Sequence, residues 1–89
     1  MQSNDTISVV VMSPQAVVWE GAVVSLTSAN SEGVFDLLPD HARFMTLLEK
    51  TPVTLVLGDG TEKVIAIEKA VLFFQDNTAK IYIHETMAL

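Results

Sequence analysis

Turn-forming residues punctuate this chain at short intervals, and the apolar residues between them mostly alternate. Ser13-Pro14-Gln15, Glu20-Gly21, Asn30-Ser31-Glu32-Gly33, Gly58-Asp59-Gly60 and Gln75-Asp76-Asn77 are all clusters that favour tight turns. Ile7 to Met12 is β-branched and apolar on both faces, which predicts a well-buried strand. Ala16 to Trp19 predicts a short strand, turned again at Glu20-Gly21. Ala22 to Ala29 predicts one strand with a wet face, with Val24 and Leu26 pointing one way and Ser25 and Thr27 the other. Val53, Leu55 and Leu57 form a similar row before Gly58-Asp59-Gly60, which has the composition of a hairpin turn. Glu62 to Ile67 returns with Ile65 and Ile67 on one face, and Ala70 to Phe74 is fully apolar. Ala79, Ile81 and Ile83 then alternate with Lys80, Tyr82 and His84. Short strands so spaced indicate an all-β antiparallel sandwich or barrel. Ala42 to Lys50 is ambiguous, because Phe44, Met45, Leu47 and Leu48 also fit a helical stripe.

With 89 residues the expectation is one domain, 1–89, with 1–6 polar and frayed. The net charge of −6 and only five scattered basic residues argue against a nucleic-acid partner. An acidic chain of this kind suits a basic or polar protein surface instead. There is no cysteine, so disulfides, thiol catalysis and cysteine zinc sites are excluded. No charged leader precedes an apolar segment, and no apolar run approaches the roughly 18 to 20 residues of a membrane helix. The expectation is a chain soluble on its own. Asn4-Asp5-Thr6 has glycosylation spacing but no secretory context.

The stretch from Glu32 to Thr46 is the most distinctive. Gly33 permits a turn, Pro39 fixes its own φ, and His41 follows two residues later. Apolar Val34, Phe35, Leu37 and Leu38 are interrupted by Asp36. This predicts a shaped surface loop pinned by buried side chains, the kind of element that carries function.

Candidate chemistry is sparse. His41 lies near Glu32, Asp36 and Asp40 in sequence, which allows a metal or acid–base site, but the spacing has no zinc-site regularity. The simpler reading is that His41 hydrogen-bonds backbone. Ser13, Ser25, Ser28 and Ser31 lack a nucleophile-elbow context, and two histidines give little material for a triad. Gly58-Asp59-Gly60 lacks the Lys-Ser/Thr of a phosphate loop. Trp19 and Tyr82 suit either binding anchors or core volume, and Trp19 favours the core.

The order Ser13-Pro14, Val18-Trp19-Glu20-Gly21, Glu32-Gly33-Val34-Phe35-Asp36-Leu37-Leu38-Pro39-Asp40-His41-Ala42 and Gly58-Asp59-Gly60 resembles the epsilon subunit of F-type ATP synthases, from about Ile7 to Glu85. The chain departs from the family's usual glycines at Asp36 and Asp40, proline at Arg43 and Gly-Gly at Lys69-Ala70, as a divergent branch does. The resemblance implies a flattened sandwich of about ten short strands, with Ala42 to Lys50 extended. It implies a non-catalytic, cofactor-free central-stalk subunit that links the gamma subunit to the c-ring and couples ion translocation to ATP synthesis or hydrolysis. Its place would be the cytoplasmic face of the bacterial inner membrane, reached only through the complex. Glu32, Gly33, Val34, Asp36 and His41 are expected to face the ring, whose loops typically present amide and basic groups, and Ser13 and Thr46 to face gamma. The family's helical hairpin follows this domain, whereas only four residues follow Glu85 here. Inhibition by that hairpin and ATP binding are therefore not expected. The rival reading is a small stand-alone β domain with a metal or ligand site around His41.

Overall fold

Two long strands carry the architecture. The computed structural model describes residues 5–84. It contains β1 (Ile7–Met12), β2 (Val17–Val23), β3 (Ser25–Asn30), β4 (Gly33–Leu37), β5 (Phe44–Val56), β6 (Glu62–Gln75) and β7 (Thr78–Ile83), and no helix among the described residues. Hydrogen bonding is continuous in the order β2-β1-β7-β6-β5-β3-β4. All neighbours are antiparallel except β1 and β7.

The single ladder folds back on itself. The first half of β5, Phe44 to Glu49, pairs with Lys69 to Phe74 of β6, which in turn pairs with β7. The second half, Thr51 to Val56, pairs with Glu62 to Ile67 and with β3. Between the halves Lys50 takes φ 50, the left-handed region that bends a strand locally. The inward parity also changes there. Leu48, Leu72 and Phe74 are buried at even positions, then Val53, Leu55 and Ile67 at odd ones. Each long strand therefore serves two layers, and one buried cluster joins Val9, Val11, Leu72, Phe74 and Ile81 of the first to Leu26, Leu37, Val53 and Leu55 of the second.

Seven strands replace the expected ten. Phe44 to Lys50 and Val53 to Val56 belong to one strand, which Ala42 and Arg43 precede, and Glu62 to Ile67 and Ala70 to Phe74 likewise belong to one. Pro52 does not end β5, because the β3 ladder stops at Thr27↔Thr54, short of it. Ser28 Oγ, buried, donates to the Pro52 carbonyl at 3.0 Å and holds β3 beyond the ladder's end.

Two other expectations are corrected. Glu20-Gly21 is no turn, since both pair with β1 as Val10↔Glu20 and Val9↔Gly21. Gly21 is required by packing, because a Cβ there lies 2.8 Å from Cη2 of Trp19, whose indole folds against the core. Gly21→Ala must displace the indole, at a cost of about 1–3 kcal/mol. The expected result is a lower urea midpoint and a red-shifted emission from the chain's one tryptophan. Ala22 to Ala29 is likewise two strands, with Val24 crossing between layers and donating its N–H to Val56 O at 2.7 Å.

The turns follow their chemistry. Asp76 and Asn77 both have positive φ, as a two-residue type I′ hairpin requires. Asp59 Oδ1 accepts from Thr61 N at 3.0 Å and from Thr61 Oγ1 at 2.7 Å. These bonds, the hydroxyl first, hold its carboxyl below the ordinary 3.8 although the side chain is fully exposed. A depressed folded value means that the turn's stabilisation is present above 3.8 and is lost as pH falls through the folded value. Thr61→Ala is expected to return the Asp59 titration, followed by NMR, toward 3.8. The expected fraying of residues 1–6 falls largely on 1–4, which lie outside the described residues, as do 85–89.

Candidate interaction surfaces

The stretch predicted as a loop is in large part a strand. Gly33 to Leu37 forms β4, the edge of the second layer, paired with β3 through a turn at Ser31-Glu32. Leu37 is buried and Phe35 half-buried, whereas Val34 is 77% exposed and Leu38 52%. Gly33 has φ 123, which a side chain resists.

Glu32, Gly33 and Val34 make the tip of this hairpin, all exposed. Asp36 is exposed on the outward side of β4 and accepts a hydrogen bond from Thr27 Oγ1. His41 is not at the tip. It lies beyond the opposite end of β4, roughly 13 Å along the strand from Gly33. There Leu38 to His41 has the form of a type II turn, with Pro39 first, Asp40 at φ 72 second, and His41 N bonded to Leu38 O at 3.1 Å. Asp40 N and Asp40 Oδ1 are both bonded to the Asn77 side-chain amide, and Asn77 O takes Ser8 N–H at 2.9 Å. This tie holds Asp40 in the backbone conformation where glycine is usual. His41 Nδ1 lies 2.8 Å from Ala42 O, and its ring meets Phe44 and Phe74 edge-on at 5.8 and 5.9 Å. Among the described residues no three His, Asp or Glu side chains gather as a metal site.

Thr46 lies on the inward row of β5 between Phe44 and Leu48, half-buried. Its hydroxyl accepts from Asn30 Nδ2 at 3.0 Å, while Asn30 Oδ1 accepts the Glu32 N–H at 2.8 Å. One amide thus pins the hairpin tip to the first layer. Sequence reasoning missed Asn30, although an asparagine two residues before Glu32 is an Asx-turn signal. Asn30→Ala removes both bonds, each worth about 1 kcal/mol. The expected outcome is faster amide exchange at Glu32 and Gly33, with overall stability lower by up to about 2 kcal/mol.

Ser13, half-buried, closes the turn after β1, with N bonded to Ala16 O at 2.8 Å and Oγ accepting from Gln15 N and Ala16 N. Between Ser13 and Thr46 the outward face of the first layer is unexpectedly apolar. Register aligns Leu47, Val71, Tyr82 and Met12 in one row across four strands. The adjoining row is Met45, Phe73, Lys80 and Val10. Tyr82 is 46% exposed and Leu47 53%. A shallow depression of about 410 Å³ opens there, lined by Pro14, Leu47, Val71, Tyr82, Ile83 and His84 among others. The outward face of the second layer is mixed, with Ser25, Thr27, Asp36, Thr54 and Glu62 interleaved with Val34, Val56 and Val64.

Against known proteins, residues 6–88 match the family model of the ATP synthase delta/epsilon chain, beta-sandwich domain. An ATP synthase epsilon chain of Nitratiruptor sp. is 28% identical over 85 residues, covering 96% of this chain and 66% of the relative. That of Acinetobacter baumannii is 31% identical over 71 residues, covering 80% and 51%. The chain thus spans about half to two thirds of the curated relatives it matches. The fold is shared with a chain of the Euglena gracilis mitochondrial ATP synthase (OSCP/F1/c-ring), with a TM-score of 0.84 at 14% identity, covering 93% of this chain and 53% of that one. A chain of the Tetrahymena thermophila mitochondrial ATP synthase central stalk and c-ring gives 0.72 at 12% identity, covering 88% and 63%.

Proposed function

Because the chain belongs to the ATP synthase delta/epsilon-chain family, whose β-sandwich domain it matches over residues 6–88, we propose that it is a rotor subunit of an F-type ATP synthase. It binds the gamma subunit and meets the c-ring, so that ion-driven rotation of the ring is transmitted to the catalytic head. The carrying observation is that this match spans nearly the whole described fold.

The surfaces suit the role. The β3–β4 tip and Asp36 present Glu32 and Asp36 as exposed carboxylates on an edge hairpin held by Asn30. Loops with amide and basic groups complement such a tip, and charge at a rim sets orientation and partner choice. His41, at the other end of β4, approaches the ring only if the contact runs along the whole strand. The subunit carries no substrate and performs no catalysis. It is peripheral, at the cytoplasmic face of the bacterial membrane, and touches the membrane only through the complex.

The test is co-purification. Tagged chain expressed with the gamma subunit of the same organism is expected to bring gamma down in equal amount. Recovery of the chain alone, with gamma folded and soluble, contradicts the proposal.

A further inference from the structure

The Leu38–His41 turn leaves β4 in the second layer, and the β6–β7 hairpin lies in the first, yet a pair of side chains 37 residues apart joins them. Asp40, at φ 72, occupies the place that a type II turn gives to glycine or asparagine, because a Cβ resists the left-handed region. Asn77 grips it twice. Its Oδ1 accepts the Asp40 N–H, and its Nδ2 donates to Asp40 Oδ1 at 3.2 Å. An amide offers an acceptor and a donor side by side, whereas an ionised carboxylate has no donor. Position 77 makes a second demand, since its own φ of 56 suits asparagine better than most residues. Asparagine meets both. The Asn77 carbonyl also accepts the Ser8 N–H at 2.9 Å, so the same residue is fastened to the start of β1.

The conformation of Asp40 decides where His41 goes. With Asp40 left-handed the chain reverses, His41 N meets Leu38 O, and the imidazole reaches the edges of Phe44 and Phe74. We propose that the Asn77 amide is a latch between the layers. It keeps Asp40 left-handed and thereby positions His41, so that the connection from β4 to β5 opens and closes with this one contact. Asp40 is exposed and Asn77 half-buried, and both line an open polar depression with His41, Arg43, Gln75 and Asp76. Water therefore reaches the pair. Segments held by exposed hydrogen bonds open locally at less cost than the fold as a whole. Asn77 acts through Asp40 and is a positioning residue. The latch belongs to the chain by itself and stands whether or not the rotor reading does.

The experiment follows amide exchange and the His41 ring protons by NMR in the full chain and three variants. Asn77→Gly removes the amide but keeps the Asp76 hairpin in a sequence that a type I′ turn prefers. The His41 amide is expected to exchange at least roughly tenfold faster, as the loss of two ordinary hydrogen bonds implies. The His41 ring protons are expected to move toward the shifts of a free imidazole, while the amides of β6 and β7 stay protected. Asn77→Asp sets two carboxylates against each other and is expected to open the turn at least as far. Asp40→Asn combined with Asn77→Asp rebuilds the pair with its amide on the other side. It is expected to restore most of the His41 protection and the parent ring shifts, which a loss of general stability would not do. His41 exchange in Asn77→Gly equal to that of the parent shows that the turn holds itself and overturns the latch. An exchanged pair no better protected than Asn77→Asp alone overturns it as well. So does a loss of protection in Asn77→Gly that is as large in β6 and β7 as at His41, because the opening is then global.

Discussion

Changing Glu32 and Asp36 together to lysine is expected to separate ion pumping from ATP hydrolysis. Both carboxylates are exposed, and β4 is an edge strand, where lysine is well tolerated. The fold loses only the bond from Thr27 to Asp36, about 1 kcal/mol at an exposed site. On the proposed contact, each surface ion pair the two carboxylates would form with the ring is worth roughly 0–1 kcal/mol. Reversal replaces attraction by repulsion at two sites, so the contact weakens by about 2 kcal/mol, or roughly 30-fold in affinity. Removing Glu32 alone is expected to do little. In reconstituted vesicles the double variant is expected to hydrolyse ATP like the parent while ATP-driven pumping falls severalfold. The deficit is expected to be largest at low salt, where charges are least screened. Equal pumping by variant and parent at low salt rules out these carboxylates as the ring contact.

Phe74→Ala is expected to remove a large fraction of the domain's stability. Phe74 is fully buried in the first layer, and His41 packs on its ring. Phe44 and Phe35 continue the cluster across to β4, with centroids 5.1 Å apart. Truncating a buried phenylalanine costs about 3–5 kcal/mol. A chain of this length commands only about 5–13 kcal/mol in total, at 0.05–0.15 per residue. The loss also removes one of the two aromatic rings that His41 packs against. The measurement is a urea titration followed by Trp19 emission, with an expected collapse of the midpoint. A midpoint within experimental error of the parent shows that the two layers do not meet at Phe74.

Local chemistry was legible in the sequence wherever a single signal sufficed. The strand at Ile7–Met12, the alternation from Ala79 to Ile83, the Gly58–Gly60 hairpin and the Asp76–Asn77 turn are all present, although Ile7–Met12 buries one face fully and not both. What failed was the continuity of strands. Period-two alternation assumes one face throughout, and β5 and β6 change inward parity at Lys50 and Glu68 as they pass between layers. Each long strand therefore read as two. Glu20-Gly21 has turn composition, but Gly21 is small because Trp19 needs its space, a contact between side chains that no local pattern encodes.

The candidate surfaces were legible only as positions. The stretch from Glu32 to Thr46 stands out in the sequence, yet β4 carries Glu32 and His41 to opposite ends of the hairpin. Thr46 was singled out as a small polar contact, whereas its hydroxyl is held by Asn30 and the outward neighbours are Met45 and Leu47. The apolar block was invisible because an apolar strand reads the same whether one or both of its faces are covered. Register across four strands, which sequence does not show, assembles it.

Restoration of coupling tests the central claim most directly. Vesicles carrying the ATP synthase of the same organism, stripped of its epsilon chain, are expected to hydrolyse ATP without efficient ion pumping. Adding this chain in equimolar amount is expected to restore ATP-driven pumping to the level of the complete complex, with the chain sedimenting with the vesicles. Pumping that stays at the stripped level while the folded chain remains in the supernatant contradicts the account.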